Sequence, residues 1–453
     1  MAVPARGRQA VAVAGERGRR ITRYAVPVPV LIVSAALAAS LFGDSMLYAV
    51  MPSRPDDWGL SIGLVGVLLS ANRLVRLVSN TVAAALFSRF GTRLPFAAAM
   101  LLAVVTTASY GWVTAFWLLL IARMTWGLCW SVLRLGAYWI VLDAASDANR
   151  GFLMGIYSAV ARTGSIVGVV LGGVLTDSIG HEWTLTIFAA ATGLGGIAWF
   201  LSSRSHAEPL IAARSPAVST LAATSPGQRR RSATGGGLSV VLHDPRLLTV
   251  GLGGLSGMLV FSGLLTASIG FYFGERFGDD IAVAGLAIGI ATFTGLVLGA
   301  RFTIDLVLAP FAGHLSDRRG RMVVTLSAFG LGAIGLLILA AAPPLGIVLV
   351  AVAIAFIAST ALVVLLDARA GDLAPPERRS AVMSTYATFL DLGAALGPLV
   401  GLSVGTLGAL RWAFVAGGLI LIVMAISYRL VMASDERASD MGDRAPTRPV
   451  SLD

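Results

Sequence analysis

From Val28 onward, apolar residues arrive in long runs separated by short polar segments. The runs are Val28 to Met51, Leu60 to Phe87, Leu94 to Tyr110, Thr114 to Leu142, Phe152 to Thr176 and Trp183 to Leu201. A second set follows at Leu247 to Tyr272, Ile281 to Phe311, Val323 to Ala342, Leu345 to Leu366, Ala381 to Leu407 and Trp412 to Met432. Each is near the roughly 20 residues that a helix needs to cross the hydrocarbon of a bilayer. The pattern predicts an all-α membrane protein with twelve transmembrane helices, spans 1 to 12 in chain order. Residues 1–26 read as an Arg-rich cytoplasmic tail and 27–203 as a first six-helix bundle. Residues 204–245, rich in Ser, Ala, Pro, Gly and Arg, read as a flexible cytoplasmic linker, 246–432 as a second bundle and 433–453 as a disordered cytoplasmic tail. The first run is too long for the core of a cleaved signal peptide.

The second bundle repeats the first. A shift of 229 residues carries Arg76, Ala84, Leu86, Ser88, Arg89 and Gly91 onto Asp305, Gly313, Leu315, Asp317, Arg318 and Gly320. The same shift carries Asp143, Arg150, Tyr157, Arg162, Gly164 and Gly168 onto Asp372, Arg379, Tyr386, Asp391, Gly393 and Gly397. Two stretches in one register imply a duplication, hence two pseudo-symmetric bundles.

Composition agrees: 56% hydrophobic, 13% charged and a mean hydropathy of +0.82 exclude an ordinary water-soluble domain. The net charge of +10 comes from arginines alone, with no lysine. Their placement between apolar runs is a topology signal and not a nucleic-acid-binding surface. Both termini are expected in the cytoplasm of a multi-pass cell-membrane protein. That orientation puts Arg89, Arg93, Arg150, Arg318, Arg319, Arg321, Arg369, Arg378 and Arg379 inside and leaves Arg54, Arg276 and Arg411 outside. The lone Cys129 lies within a span and supports neither a disulfide nor a thiolate metal site, and no cofactor is implied.

Nine charges fall within the spans: Asp44, Arg73, Arg76, Arg123, Arg134, Arg162, Arg301, Asp305 and Asp391. Each costs roughly 2.5 to 3.5 kcal/mol at a helix centre, so they are expected to face the interior or a water-filled cavity. Spacing supports this. Arg73, Arg76 and Asn80 form one helical stripe on span 2, as do Arg123, Gly127, Trp130 and Arg134 on span 4. Arg301 and Asp305 are four apart and can pair on their own helix. For them, and for Arg162 with some carboxylate, a static internal pair competes with a functional role. Arg134 and Asp143 lie near the cytoplasmic end, where snorkelling or capping competes with substrate contact. Asp44 sits about two-thirds of the way across span 1, between Ser40 and Tyr48, where a carboxylate can exchange a proton as access alternates. Asp391, near the middle of span 11, is the second such candidate.

Six intramembrane arginines against three carboxylates favour a substrate with an anionic or zwitterionic group. Trp126, Trp130, Trp139 and Tyr157 could give the cavity an apolar wall.

After span 8, Gly313, Leu315, Asp317, Arg318, Gly320 and Arg321 resemble the loop motif of the major facilitator superfamily, and the copy after span 2 is degenerate, with Ser88 for Asp and Ala84 for Gly. Arg123 and Gly127 are similar to the family's span 4 motif. Gly164, Gly168, Gly172 and Gly173 resemble its antiporter motif with Val169 in place of Pro, and Gly393, Gly397, Pro398 and Gly401 give a fuller version on span 11. The resemblance covers nearly all of residues 27–432. It implies a secondary transporter working by alternating access, with Arg123 as the partner of Asp44. It also implies a cytoplasmic gate at Arg89, Asp143, Arg150, Gly313, Asp317, Arg318, Gly320, Arg321, Asp372 and Arg379. The loop chemistry fits a gate: two glycines allow a tight turn, and Asp317 can set a carboxylate at the N-terminus of span 5, near Gly151.

The leading expectation is proton-coupled export of an amphipathic small molecule by a monomer in a lipid bilayer. Import or exchange of a small organic anion, transport of a lipid-headgroup-bearing molecule, and a non-transporting sensor are the alternatives. An enzyme is not expected. Gly254, Leu255, Ser256 and Gly257 are similar to the serine motif of rhomboid proteases, yet His181, His206, His243 and His314 all fall outside membrane depth, so no base is available. Nucleotide-binding GxxxxGK[ST] and zinc-binding HExxH patterns do not occur.

Overall fold

Runs of apolar residues with few breakers have one way to satisfy their backbone in a bilayer, which is to hydrogen-bond within each segment as helix. In the computed structural model, residues 26–146, 149–203, 236–283, 285–403 and 407–443 are described. Among them are twelve helices long and apolar enough to cross a membrane. The first six are α1 (Val28–Val50), α2 (Ile62–Phe90), α3 (Arg93–Trp112), α4 (Phe116–Ala144), α5 (Arg150–Ile179) and α6 (His181–Ser202). The second six are α7 (Pro245–Phe277), α8 (Ile290–Arg319), α9 (Arg321–Ala340), α10 (Leu345–Leu373), α11 (Arg379–Leu402) and α12 (Leu407–Asp443).

Residues 433–443, read as disordered tail, continue α12 as helix to Asp443, and three further local features depart from the sequence pattern. The run from Ile281 is not one helix: Asp280–Val283 and Leu286–Gly289 form an antiparallel hairpin, and α8 starts only at Ile290. Gly285, at φ +85°, makes that turn, and the β-branched Ile281, Val283 and Ile288 suit a paired strand. Gly236–His243, read as linker, is a short helix packed against α11. Within α7, Met258–Leu265 winds as a π-helix, a form common at functional sites. The Arg-rich N-terminal stretch, the Arg229 to Arg231 run and the end of the C-terminal tail lie outside the described residues.

Small residues set the packing, because lipid supplies no hydrophobic force between helices and close van der Waals approach takes its place. Gly164 of α5 lies on the backbone of Ala38 in α1, and its repeat partner Gly393 of α11 lies on Leu255 in α7. A second symmetric pair joins the bundles. Gly295 of α8 meets the Val169 carbonyl of α5, while Gly66 of α2 meets the Pro398 carbonyl of α11, where an added Cβ would lie 2.8 Å away.

These inter-bundle contacts all sit towards one end of the molecule. At that end Arg54 pairs with Asp177 at 2.8 Å, and Asp177 also accepts the Thr292 backbone N–H at 2.7 Å, tying the loop after α1 to the end of α5 and the start of α8. The opposite halves of α2 and α8 are open. Beyond Asn72, α2 buries only Ser79, Ala83 and Phe87, and beyond Arg301, α8 buries only Ala312 and Ser316.

Candidate functional site

The site is assembled from the middle of α1, α2 and α4 on one side and of α7, α8 and α10 on the other. α1 presents Asp44 and Tyr48 one turn apart. Asp44 is 6% exposed, and its Oδ1 accepts from Arg123 Nη1 at 2.7 Å and from Asn72 Nδ2 at 2.9 Å. Arg123 is fully buried, with Tyr48 and Tyr110 rings 5.7 and 5.6 Å from its guanidinium carbon. This approach depends on Gly127, one turn further along α4, where a Cβ would come within 2.5 Å of the Asn72 carbonyl. A buried charge pair gains from hydrogen bonds to its remaining positions. Asn72 and the Leu68 carbonyl, 3.5 Å from Arg123 Nε, contribute to that, although Arg123 Nη2 has no acceptor.

Arg76 donates to Asn72 Oδ1 at 3.1 Å and lies over the Trp130 ring, and Arg73 donates from Nε to the Tyr48 hydroxyl at 3.1 Å. The opposite wall has a different logic. Arg301, 7% exposed, donates to the Ser262 hydroxyl at 2.8 Å and to the Thr266 hydroxyl. Its expected helical partner Asp305 turns elsewhere. Asp305 accepts from Arg162 of α5 at 2.9 Å and from Thr360 of α10 at 2.5 Å, so the pair crosses from one bundle to the other. The i, i+4 spacing permits a contact on one helix, but the guanidinium reaches the hydroxyls of α7 first, and the shorter Asp305 is left facing α5.

Several predicted positions fall away from this centre. Trp126 is fully buried behind Trp130, stacked on it at 5.7 Å, and so lies beneath the cavity wall. Trp139 packs against Phe87 in the first bundle's core. Arg134 is exposed and Asn80 partly buried, without an ion pair or side-chain hydrogen bond among the described residues. Asp391 is partly buried on α11, within electrostatic range of Arg73.

The loop-motif residues are spread at the open end. Arg321 pairs with Asp372, a contact inside the second bundle. Arg89, Asp143, Arg150, Asp317, Arg318 and Arg379 are exposed, and a Cβ at Gly313 would only just touch Val364. The expected contact of Asp317 with the start of α5 is not made: Gly151 has open space around it. With the bundles apart at this end, the carboxylate has nothing to cap.

Sequence reasoning missed Asn72, Ser262, Thr266 and Thr360. Asn72 is four residues from Arg76, a spacing that could have flagged it, whereas isolated hydroxyls in apolar helices carry no such signal. It also missed a cluster at the closed end, where His181 lies 3.4 Å from Glu182 and 4.0 Å from Asp57, its ring against Trp58. Burial pushes the Asp57 carboxyl above its ordinary range, against the pull of His181 and Arg54.

The arrangement offers a buried carboxylate paired with a cation, a second cross-bundle pair and helices that are more exposed towards one end, which suits movement of a solute. Among proteins of known function, a human synaptic vesicular amine transporter is 30% identical over 162 residues, covering 35% of this chain and 31% of that protein. A chloramphenicol resistance protein of Streptomyces lividans is 25% identical over 424 residues, 89% of this chain and 96% of the relative. Among solved structures, a bacterial homologue of the human lysosomal transporter Spinster, inward-facing and unoccupied, superposes with a TM-score of 0.69 at 15% identity. That match covers 89% of this chain and 96% of its own. The family model described as Major Facilitator Superfamily matches residues 33–304 and 291–451. With twelve membrane-crossing helices in two symmetric sets and a family match along almost the whole of both, the chain belongs to the major facilitator superfamily of transporters.

Proposed function

We propose that this transporter exports an amphipathic small molecule in exchange for protons, with Asp44 as the proton site and Arg123 as its counter-charge. The observation that carries the reading is the Asp44–Arg123–Asn72 cluster, a buried carboxylate whose ionised form is balanced by one fixed guanidinium. With both termini in the cytoplasm, as the arginine bias favours, the open end faces inward. Substrate then enters from the cytoplasm while Asp44 is ionised and paired. Closure of that end brings the loop-motif charges of the two bundles together, and opening at the Arg54–Asp177 end exposes the cavity to the outside. Protonation of Asp44 there removes the charge that holds Arg123. The neutral site returns inward, and loss of the proton to the cytoplasm restores the pair. Asp391, facing Arg73, is the second proton acceptor. Similarity to a chloramphenicol resistance protein over 89% of the chain supports export.

The test uses the full chain in proteoliposomes under an imposed pH gradient, with chloramphenicol as probe and a monoamine beside it. Native protein should move the probe with a matching proton flux. Asp44→Asn keeps the shape and the hydrogen-bond acceptor but cannot ionise. It should reduce gradient-driven transport by about a hundredfold, the lower end of the range for positioned proton-transfer groups, and leave probe binding intact. Unchanged coupling in Asp44→Asn would remove the proton site.

A further inference from the structure

The charges of the central cavity do not cancel. Asp44 is taken up by Arg123 and Asn72, and Asp305 by Arg162 and Thr360, while Asp391 lies within electrostatic range of Arg73 but makes no ion pair among the described residues. Among the described residues, no carboxylate comes within ion-pair distance of Arg73, Arg76 or Arg301. Arg301 is the sharpest case. The residue is more than nine-tenths buried, its hydrogen-bond partners are two neutral hydroxyls, the rings of Phe302 and Phe356 lie beside its guanidinium, and its Nε–H has no acceptor. Hydroxyls and ring faces orient a guanidinium without neutralising it, and a buried cation without an ion-pair partner is costly.

Pseudo-symmetry shows what is missing. Since α5 packs on α1 as α11 packs on α7, the contact from α2 to α1 corresponds to that from α8 to α7. The repeat shift of 229 carries Asn72 onto Arg301. In the first bundle this contact is Asn72 to the carboxylate of Asp44. In the second it is Arg301 to the hydroxyl of Ser262. The first bundle carries its own negative charge facing a neutral amide, whereas the second carries a cation facing a neutral hydroxyl. The π-helical turn of α7 contains Ser262 and is followed directly by Thr266, so the distortion lies where the guanidinium docks. Three charges lie within electrostatic range of Arg301: Asp305 on its own helix, which is engaged with Arg162, then Arg73 across the cavity and Arg162 itself. Arg73 is itself only partly buried and is steadied by the Tyr48 hydroxyl.

We infer that Arg301, with Arg73 facing it from the other bundle, binds the single anionic group, carboxylate or phosphate, of an amphipathic substrate. A guanidinium from each bundle gives two forks for one anion, and the ligand supplies the ion-pair partner that Arg301 lacks. Trp130, beside Arg76, offers an apolar face to the rest of the molecule. This rests on the transporter reading only in treating the cavity as the substrate's route.

Equilibrium binding to the full chain in nanodiscs, without a gradient, tests it. The probes are decyl phosphate, decanoate, decyltrimethylammonium and inorganic phosphate. Decyl phosphate and decanoate should bind at least about tenfold tighter than decyltrimethylammonium, the factor expected for one charge-assisted hydrogen bond, and the preference should shrink with added salt. Inorganic phosphate should bind weakly. Arg301→Gln and Arg73→Gln should each abolish the preference, and Arg301→Lys should retain part of it. The half-buried Arg73 position keeps the test sound if Arg301→Gln fails to fold. Equal binding of anion and cation, inorganic phosphate binding as tightly as decyl phosphate, or an unchanged preference in Arg73→Gln would each overturn it. Anion preference without proton coupling would sink the antiport proposal alone. Proton coupling without anion preference would sink this one alone.

Discussion

Replacing Arg123 by Met is expected to destabilise the protein by about 3–5 kcal/mol, because truncating one partner of a buried ion pair leaves the other charge uncompensated. Arg123 is fully buried and Asp44 nearly so, so little water reaches either to soften the loss. Met fills the aliphatic volume between Tyr48 and Tyr110 but returns nothing to Asp44. A carboxylate with no counter-charge in that setting takes a proton instead of staying ionised. Transport should therefore stop as well, since a proton that is never released cannot be exchanged. The double variant Asp44→Asn with Arg123→Met should recover most of the lost stability and none of the coupling, because a pair replaced at both ends leaves no lone charge. Unfolding of the four proteins in one detergent checks this. An Arg123→Met protein as stable as the native one would mean that the pair is not held as the structure places it.

The second large effect is conformational. Gly295→Val should drive the two bundles apart at the Arg54 end, because even a Cβ there collides with the Val169 carbonyl. Backbone cannot rotate out of the way as a side chain can, so α5 and α8 must separate. The state that relieves the clash is the one open at that end. Ser53, 9% exposed behind this contact, gives a readout. A Ser53→Cys protein should react with a membrane-impermeant maleimide on the order of ten times faster once Gly295→Val is added, the factor that a 1.4 kcal/mol shift between two states produces. Cys129 is buried and adds little background. The symmetric Gly66→Val, against the Pro398 carbonyl, should act in the same direction. Equal labelling in all three proteins would show that this glycine contact does not control closure.

Both expectations bear on how much could be read before the fold was known. The twelve spans and the duplication were legible because hydropathy and repeat register are properties of short stretches of chain. Asp44 and Arg123 stood out for the same reason: an ionisable side chain in an apolar run is conspicuous whatever surrounds it. That they touch came from a family resemblance, and the distance came from the structure. The hairpin at Asp280–Gly289 was hidden by its apolar content, which reads equally as the start of a helix.

The chain's own pattern determined that twelve helices cross the membrane, that the halves are related, and which side chains cannot face lipid. Tertiary structure alone decided how those side chains pair. Arg301 and Asp305 are neighbours along one helix, yet Asp305 closes on Arg162 from a point 143 residues away, and Arg301 turns to two hydroxyls of α7. The physical reason is that burial is a local requirement, while the choice of partner for a buried charge is settled by which helix faces come to lie against each other. Here glycines such as Gly295 and Gly127 set that contact, by letting backbones approach where any side chain would have kept them apart.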